Sequence, residues 1–129
     1  MADAKGDNRP LSPFMFGQYY RLQMTALSSI MVRITGNALI LATVLIVWWL
    51  LAAATSSSYF EVVDGLITCW LGDLIMFFSA WALWYHLLGG LRHLIWDFGY
   101  CLEVAISEKM GYGMFIGATV LTIFTAIVV

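Results

Sequence analysis

Two histidines are present in the chain, and both fall in the stretch SAWALWYHLLGGLRHLIWDFGY, Ser79 to Tyr100, among Trp, Leu and Ile. His86 and His93 are seven residues apart, close to two helical turns, so on a helix they share nearly one face with about 10 Å between them. Gly89 and Gly90 lie between them, and Arg92 and Asp97 stand beside His93. A titratable ring in so apolar a setting is costly and asks for a partner, which makes it a site hypothesis.

Two readings of His86 stand side by side. In one it is a neutral imidazole bonded between helices, since polar side chains serve as interhelical glue. In the other it is an axial ligand of haem, because neutral imidazole is a common haem ligand and its depth suits a buried porphyrin. Gly89 and Gly90, three and four residues on, would let a flat macrocycle approach the helix, although helix packing accounts for them equally well. Arg92 and His93 are candidates to meet haem propionates through charge-assisted hydrogen bonds, while Arg92 could equally be a snorkelling anchor. No other histidine lies at a matching depth and Met76 is on the wrong side of the span, so the second axial ligand must come from a partner chain.

The elements that position these residues follow from composition. Of 129 residues, 62% are hydrophobic and 11% are charged, well under half the charge of a soluble domain. Three stretches, 36–54, 67–91 and 111–129, approach or exceed the roughly 20 apolar residues that span about 30 Å of hydrocarbon as a helix. The fold class expected is an all-α membrane protein with three transmembrane helices, part of a multi-chain bundle. Residues 1–34 form a polar tail and an amphipathic lead-in, and residues 35–129 form the anchor domain. The first 35 residues lack an apolar h-region, so a cleaved signal peptide is not expected. Pro10 and Pro13 mark an extended approach to the lead-in.

Lys5, Arg9, Arg21 and Arg33 precede the first span, Arg92 and Lys109 flank the loop after the second, and the loop after the first carries Glu61 and Asp64 without Lys or Arg. The positive-inside rule therefore puts the N-terminus in the cytoplasm and the C-terminus outside. The loop TSSSYFEVVDG reads as a helix connection with Tyr59 and Phe60 as interfacial anchors, and Val104 to Ile106 as a short surface segment. Cys69 and Cys101 fall too far apart to pair. A net charge of −2 gives no footprint for nucleic acid. A transporter would call for paired ionisable residues or broken helices at mid-membrane, and the sequence offers His86 with two glycines.

The stretches RPLSPF (Arg9 to Phe14), LSSIMVRITG (Leu27 to Gly36) and WYHLLGGLRHLIWDFGY (Trp84 to Tyr100) resemble the cytochrome b membrane-anchor (C) subunits of succinate dehydrogenase, complex II. Motif order, span number and length agree over nearly the whole chain. The resemblance implies a subunit with no catalytic residue for succinate. It implies one haem b held jointly with a second small anchor subunit, and a flavoprotein and an iron-sulfur subunit on the cytoplasmic face. Electrons from succinate would reach ubiquinone where the subunits meet, in the bacterial inner membrane ahead of the mitochondrial one. By the family pattern His86 ligates the haem iron, and Ser29 and Arg33 match the quinone-site serine and arginine.

The chemistry suits those roles. A quinone carbonyl gains negative charge on reduction, which a hydroxyl and a fixed cation at i and i+4 on one helical face can stabilise. Without the resemblance, a serine bonded to its own helix and a snorkelling arginine explain the pair as well. The chain departs from the family at Val32, where a propionate-contacting histidine is common, and at Phe14, where histidine often follows Ser-Pro; Arg33, Arg92 and His93 remain as propionate candidates. The alternative within the same type of complex is a structural anchor without haem.

Overall fold

The computed structural model describes residues 22–129, so Pro10, Pro13, Phe14, Arg21 and the motif from Arg9 to Phe14 lie outside the described residues. Four helices follow one another: α1 (Met24–Thr55), α2 (Ser57–Ile67), α3 (Trp70–Asp97) and α4 (Val104–Val128). No strand occurs among the described residues. Three of the four, α1, α3 and α4, are long and apolar enough to cross a membrane, as expected.

Each long helix is longer than the span predicted for it, although α3 begins at Trp70 rather than at Ile67, which closes α2, and α4 ends at Val128 rather than Val129. The 32 residues of α1 reach about 48 Å at 1.5 Å per residue, against roughly 30 Å of hydrocarbon. The amphipathic lead-in is continuous with α1 from Met24 onward, because a helix does not stop where lipid does when its next residues are also good helix formers. Val104 to Ile106 form the first turn of α4 rather than a separate surface segment. The connection after α1 also differs from expectation, for it contains α2. Ser56 ends α1 and caps α2, accepting a hydrogen bond from the backbone N–H of Tyr59 at 3.3 Å, so the serine cluster that reads as a loop is a helix start.

α2 lies against the far end of α1. Trp48 Nε1–H donates to Tyr59 Oη at 2.7 Å and Trp49 Nε1–H to Asp64 Oδ1 at 2.9 Å, with Phe60 tilted on Trp49 at 5.5 Å. At its start α3 is capped by Cys69 Sγ, which accepts from Gly72 N–H at 3.4 Å. It ends at Gly99, whose φ of +80° is the left-handed conformation that closes many helices. Cys69 and Cys101 are both free.

α3 packs against both α1 and α4. The seams use small side chains: Ala42, Ala52, Ala82 and Ala118 are buried, together with Ser28, Thr35, Ser107 and Thr122. This is how helices associate in lipid, where close backbone approach rather than hydrophobic exclusion holds them. Thr35 and Thr122 donate back to carbonyls of their own helices, which satisfies their hydroxyls. Tyr85, Met114 and Ala118 form the core, where Tyr85 stacks on Trp81 at 5.1 Å and tilts on Phe115 at 4.8 Å. The large aliphatic residues point outward, with Leu41 at 70% and Ile127 at 78% exposed, the reverse of a soluble core.

Candidate functional site

His86 lies on α3 where α1 crosses it. Its Nδ1 is 3.1 Å from the carbonyl oxygen of Val32. A carbonyl can only accept, so this bond places the proton on Nδ1 and leaves the lone pair on Nε2. That is the tautomer a metal-binding imidazole adopts when a backbone carbonyl orients it.

The ring fits because of Gly36. A Cβ there would come within 2.9 Å of His86 Cε1 and 3.3 Å of Nδ1, so any larger residue pushes the imidazole off its bond. Gly36 is a site residue that sequence reasoning missed; it ends the stretch LSSIMVRITG, and its signal is a glycine within an otherwise unbroken apolar helix. The two glycines beside His86 divide the roles considered for them. Gly89 is filled by packing, since a Cβ there would meet Val32 Cγ2 at 2.6 Å and Met114 Cε at 3.3 Å. Gly90, four residues from His86 and on its face, meets nothing within 4 Å and leaves that face open. An oriented imidazole beside an open glycine turn suits an axial ligand under a flat macrocycle.

Ser29 is half-buried and Arg33 exposed, one turn apart on α1. At about 100° per residue, Ser29 and Gly36 share nearly one face and Arg33 stands about 60° around from Gly36, so Ser29, Arg33 and His86 belong to the same flank of the α1–α3 seam. His93 is exposed on the His86 stripe, edge-on to Trp96 at 5.2 Å. It is too far along the helix to reach an iron bound at His86.

Arg92 is elsewhere. It stands about 120° around α3 from His86, 4% exposed, turned into the junction of α1, α3 and α4. Its two terminal nitrogens donate to Ser28 Oγ at 2.6 Å and Ser107 Oγ at 2.8 Å. One of them also lies 3.7 Å from Met114 Sδ, and the guanidinium sits 4.2 Å from the Trp96 ring centre. Both terminal nitrogens are thus engaged within the three helices, while Nε is buried with no hydrogen-bond partner among the described residues, so it is not a snorkelling anchor. Among the described residues no group of three or more His, Cys, Asp or Glu could hold a metal ion.

The profile of the succinate dehydrogenase/fumarate reductase transmembrane subunit family matches residues 5–125. The chain belongs to that family. Among similar proteins, the succinate dehydrogenase cytochrome b556 subunit of Paracoccus denitrificans is 51% identical over 99% of this chain and 97% of its own length. The cytochrome b560 subunit of Reclinomonas americana is 37% identical over 83% and 76%, and the cytochrome b556 subunit of Rickettsia conorii 31% over 91% and 90%. As a succinate dehydrogenase/fumarate reductase transmembrane subunit, the chain is a membrane anchor. The Val32 isopropyl group occupies the notch at Gly89, where a ring would have to turn aside.

Proposed function

We propose that the chain is the haem-carrying membrane anchor of a succinate:ubiquinone oxidoreductase in a bacterial cytoplasmic membrane, its N-terminus on the cytoplasmic side. His86 provides one axial ligand of a haem b, and a second small anchor subunit provides the other. Arg33 and His93 are the side chains on the His86 side that face the propionates. Ser29 and Arg33 bind ubiquinone. Succinate is oxidised on the flavoprotein and its electrons pass through the iron-sulfur subunit, both seated on the cytoplasmic side of this anchor.

The observation that carries this reading is the 3.1 Å contact from His86 Nδ1 to the Val32 carbonyl. It spends the ring's one proton on the protein and keeps Nε2 basic. When bound, the haem would supply a one-electron store, held by His86. Ser29 donates its hydroxyl to a quinone carbonyl oxygen, and Arg33 stabilises the charge that builds there on reduction.

The same imidazole–carbonyl bond would serve a haem-less structural anchor as interhelical glue. A reduced-minus-oxidised spectrum of the purified complex decides between them. The expected result is b-type bands that are lost or become high-spin in His86→Ala, with subunit content retained. A complex without b-type bands, or a His86→Ala complex with an unchanged low-spin spectrum, removes His86 as a haem ligand.

A further inference from the structure

Arg92, Tyr85, Ser28 and Ser107 have no part in the reading above, yet they form the densest polar group inside the three helices. A guanidinium this deep persists only if the protein solvates it, and here the solvation comes from hydroxyls on two other helices. Ser28 is held twice. Its hydroxyl accepts from Arg92 at 2.6 Å while donating to Thr25 O at 3.0 Å. Its carbonyl accepts from Tyr85 Oη at 3.3 Å. Tyr85 and Arg92 are seven apart on α3, so one face of α3 grips two atoms of one residue on α1. α4 closes the grip from the other side, where a Cβ on Gly111 would lie 3.5 Å from Ser28 Oγ and 3.1 Å from Met24 Cγ.

Ser29 follows Ser28 immediately, and Arg33 is one turn on. With Ser28 turned to the core, the helical step of about 100° turns Ser29 to the flank that carries Gly36 and faces His86. We infer that the Arg92–Ser28–Tyr85 clamp fixes the rotation of α1 about its own axis, so that Arg92 and Tyr85 are positioning residues for quinone reduction. They never touch quinone. A helix free to turn by a small angle carries its side chains sideways, and a misplacement of about 1 Å at a reacting group can cost up to about 100-fold in rate. The inference rests on the quinone reading of Ser29 and Arg33.

The test uses the whole purified complex and a short-chain ubiquinone analogue. Arg92→Met keeps most of the side-chain volume and removes the donors. It is expected to raise the apparent KM for the quinone about three- to tenfold, the order of one lost hydrogen bond, more than it lowers kcat. The b-type spectrum and succinate oxidation with an upstream artificial acceptor stay unchanged. On a Ser29→Ala background the same substitution adds less, because one of the two groups it positions is gone while Arg33 remains; equal effects on both backgrounds overturn the inference. If Arg92→Met does not assemble, Ser28→Ala and Ser107→Ala carry the test: the first is expected to raise KM clearly more than the second, and equal or reversed effects overturn the inference. Ser29→Ala alone separates the two claims. If it impairs quinone turnover while Arg92→Met and Ser28→Ala do not, the clamp is wrong and the quinone site stands; if Ser29→Ala is silent, the quinone site falls and takes the clamp with it.

Discussion

A histidine that ligates iron needs one nitrogen committed and the other basic, and His86 meets that condition through a backbone atom that no side-chain substitution at Val32 removes. His93 shares its face of α3 and its residue type but lies about 10 Å along the helix. His93→Ala is therefore expected to retain the low-spin haem spectrum of the native complex, and a high-spin spectrum in that variant would move the ligand from His86. At the quinone, Arg33→Ala should lower succinate–quinone turnover more than Ser29→Ala. The former removes a full charge, the latter a hydrogen bond of about 0.5 to 1.5 kcal/mol; turnover normalised to subunit content checks the order. His86 is legible in the sequence because it is the one histidine deep in a span, where an ionisable group needs a reason. Ser28 and Ser107 are not legible as partners of Arg92. Serine is common in helices, and nothing in one dimension says which hydroxyls, 64 residues before and 15 after the arginine, will meet it.

At the scale of elements, the α1–α3 seam depends on glycines that are not interchangeable. Gly89→Ala drives a methyl into Val32, an overpacking that costs about 1–3 kcal/mol. It is expected to lower the thermal unfolding temperature of the complex. Gly89→Ala with Val32→Ala should recover most of that loss, since the second change returns the volume the first takes up. Additive destabilisation in the pair would show that the two residues do not share the notch. Gly90→Ala, with nothing within 4 Å, makes no clash among the described residues. The three spans are legible because lipid imposes length and apolarity together. α2 is not: at eleven residues it is shorter than any span, and its Ser-rich start resembles a loop until the Ser56 cap is seen. Helix ends beyond the hydrocarbon were under-read for a related reason, since apolarity marks where lipid stops and the hydrogen-bonded helix continues past it.

Across the whole molecule, α1 and α3 run in opposite senses, so Cys69 at the start of α3 and Cys101 past its end lie at opposite ends of the bundle. With the N-terminus in the cytoplasm, a membrane-impermeant thiol reagent should label Cys69 from outside intact spheroplasts and Cys101 only in inverted vesicles. The opposite pattern would reverse the orientation and the face assigned to the partner subunits. The outward Leu, Ile, Val and Phe side chains of α1 and α4 are suited to lipid and to neighbouring helices alike.

The arginine junction also bears on how the chain is made. Ser28 leaves the ribosome well before Arg92, but Ser107 follows it, so α3 enters the membrane with a cation whose solvation is half synthesised. Arg92 lies five residues before the end of α3, so its insertion costs less than the roughly 2.5 to 3.5 kcal/mol of a charge at a helix centre, and only α4 supplies the second hydroxyl. The last helix is therefore expected to matter during synthesis: a nascent chain stopped before Ser107 should be degraded faster in a pulse-chase than the full chain, and Arg92→Leu should narrow the difference.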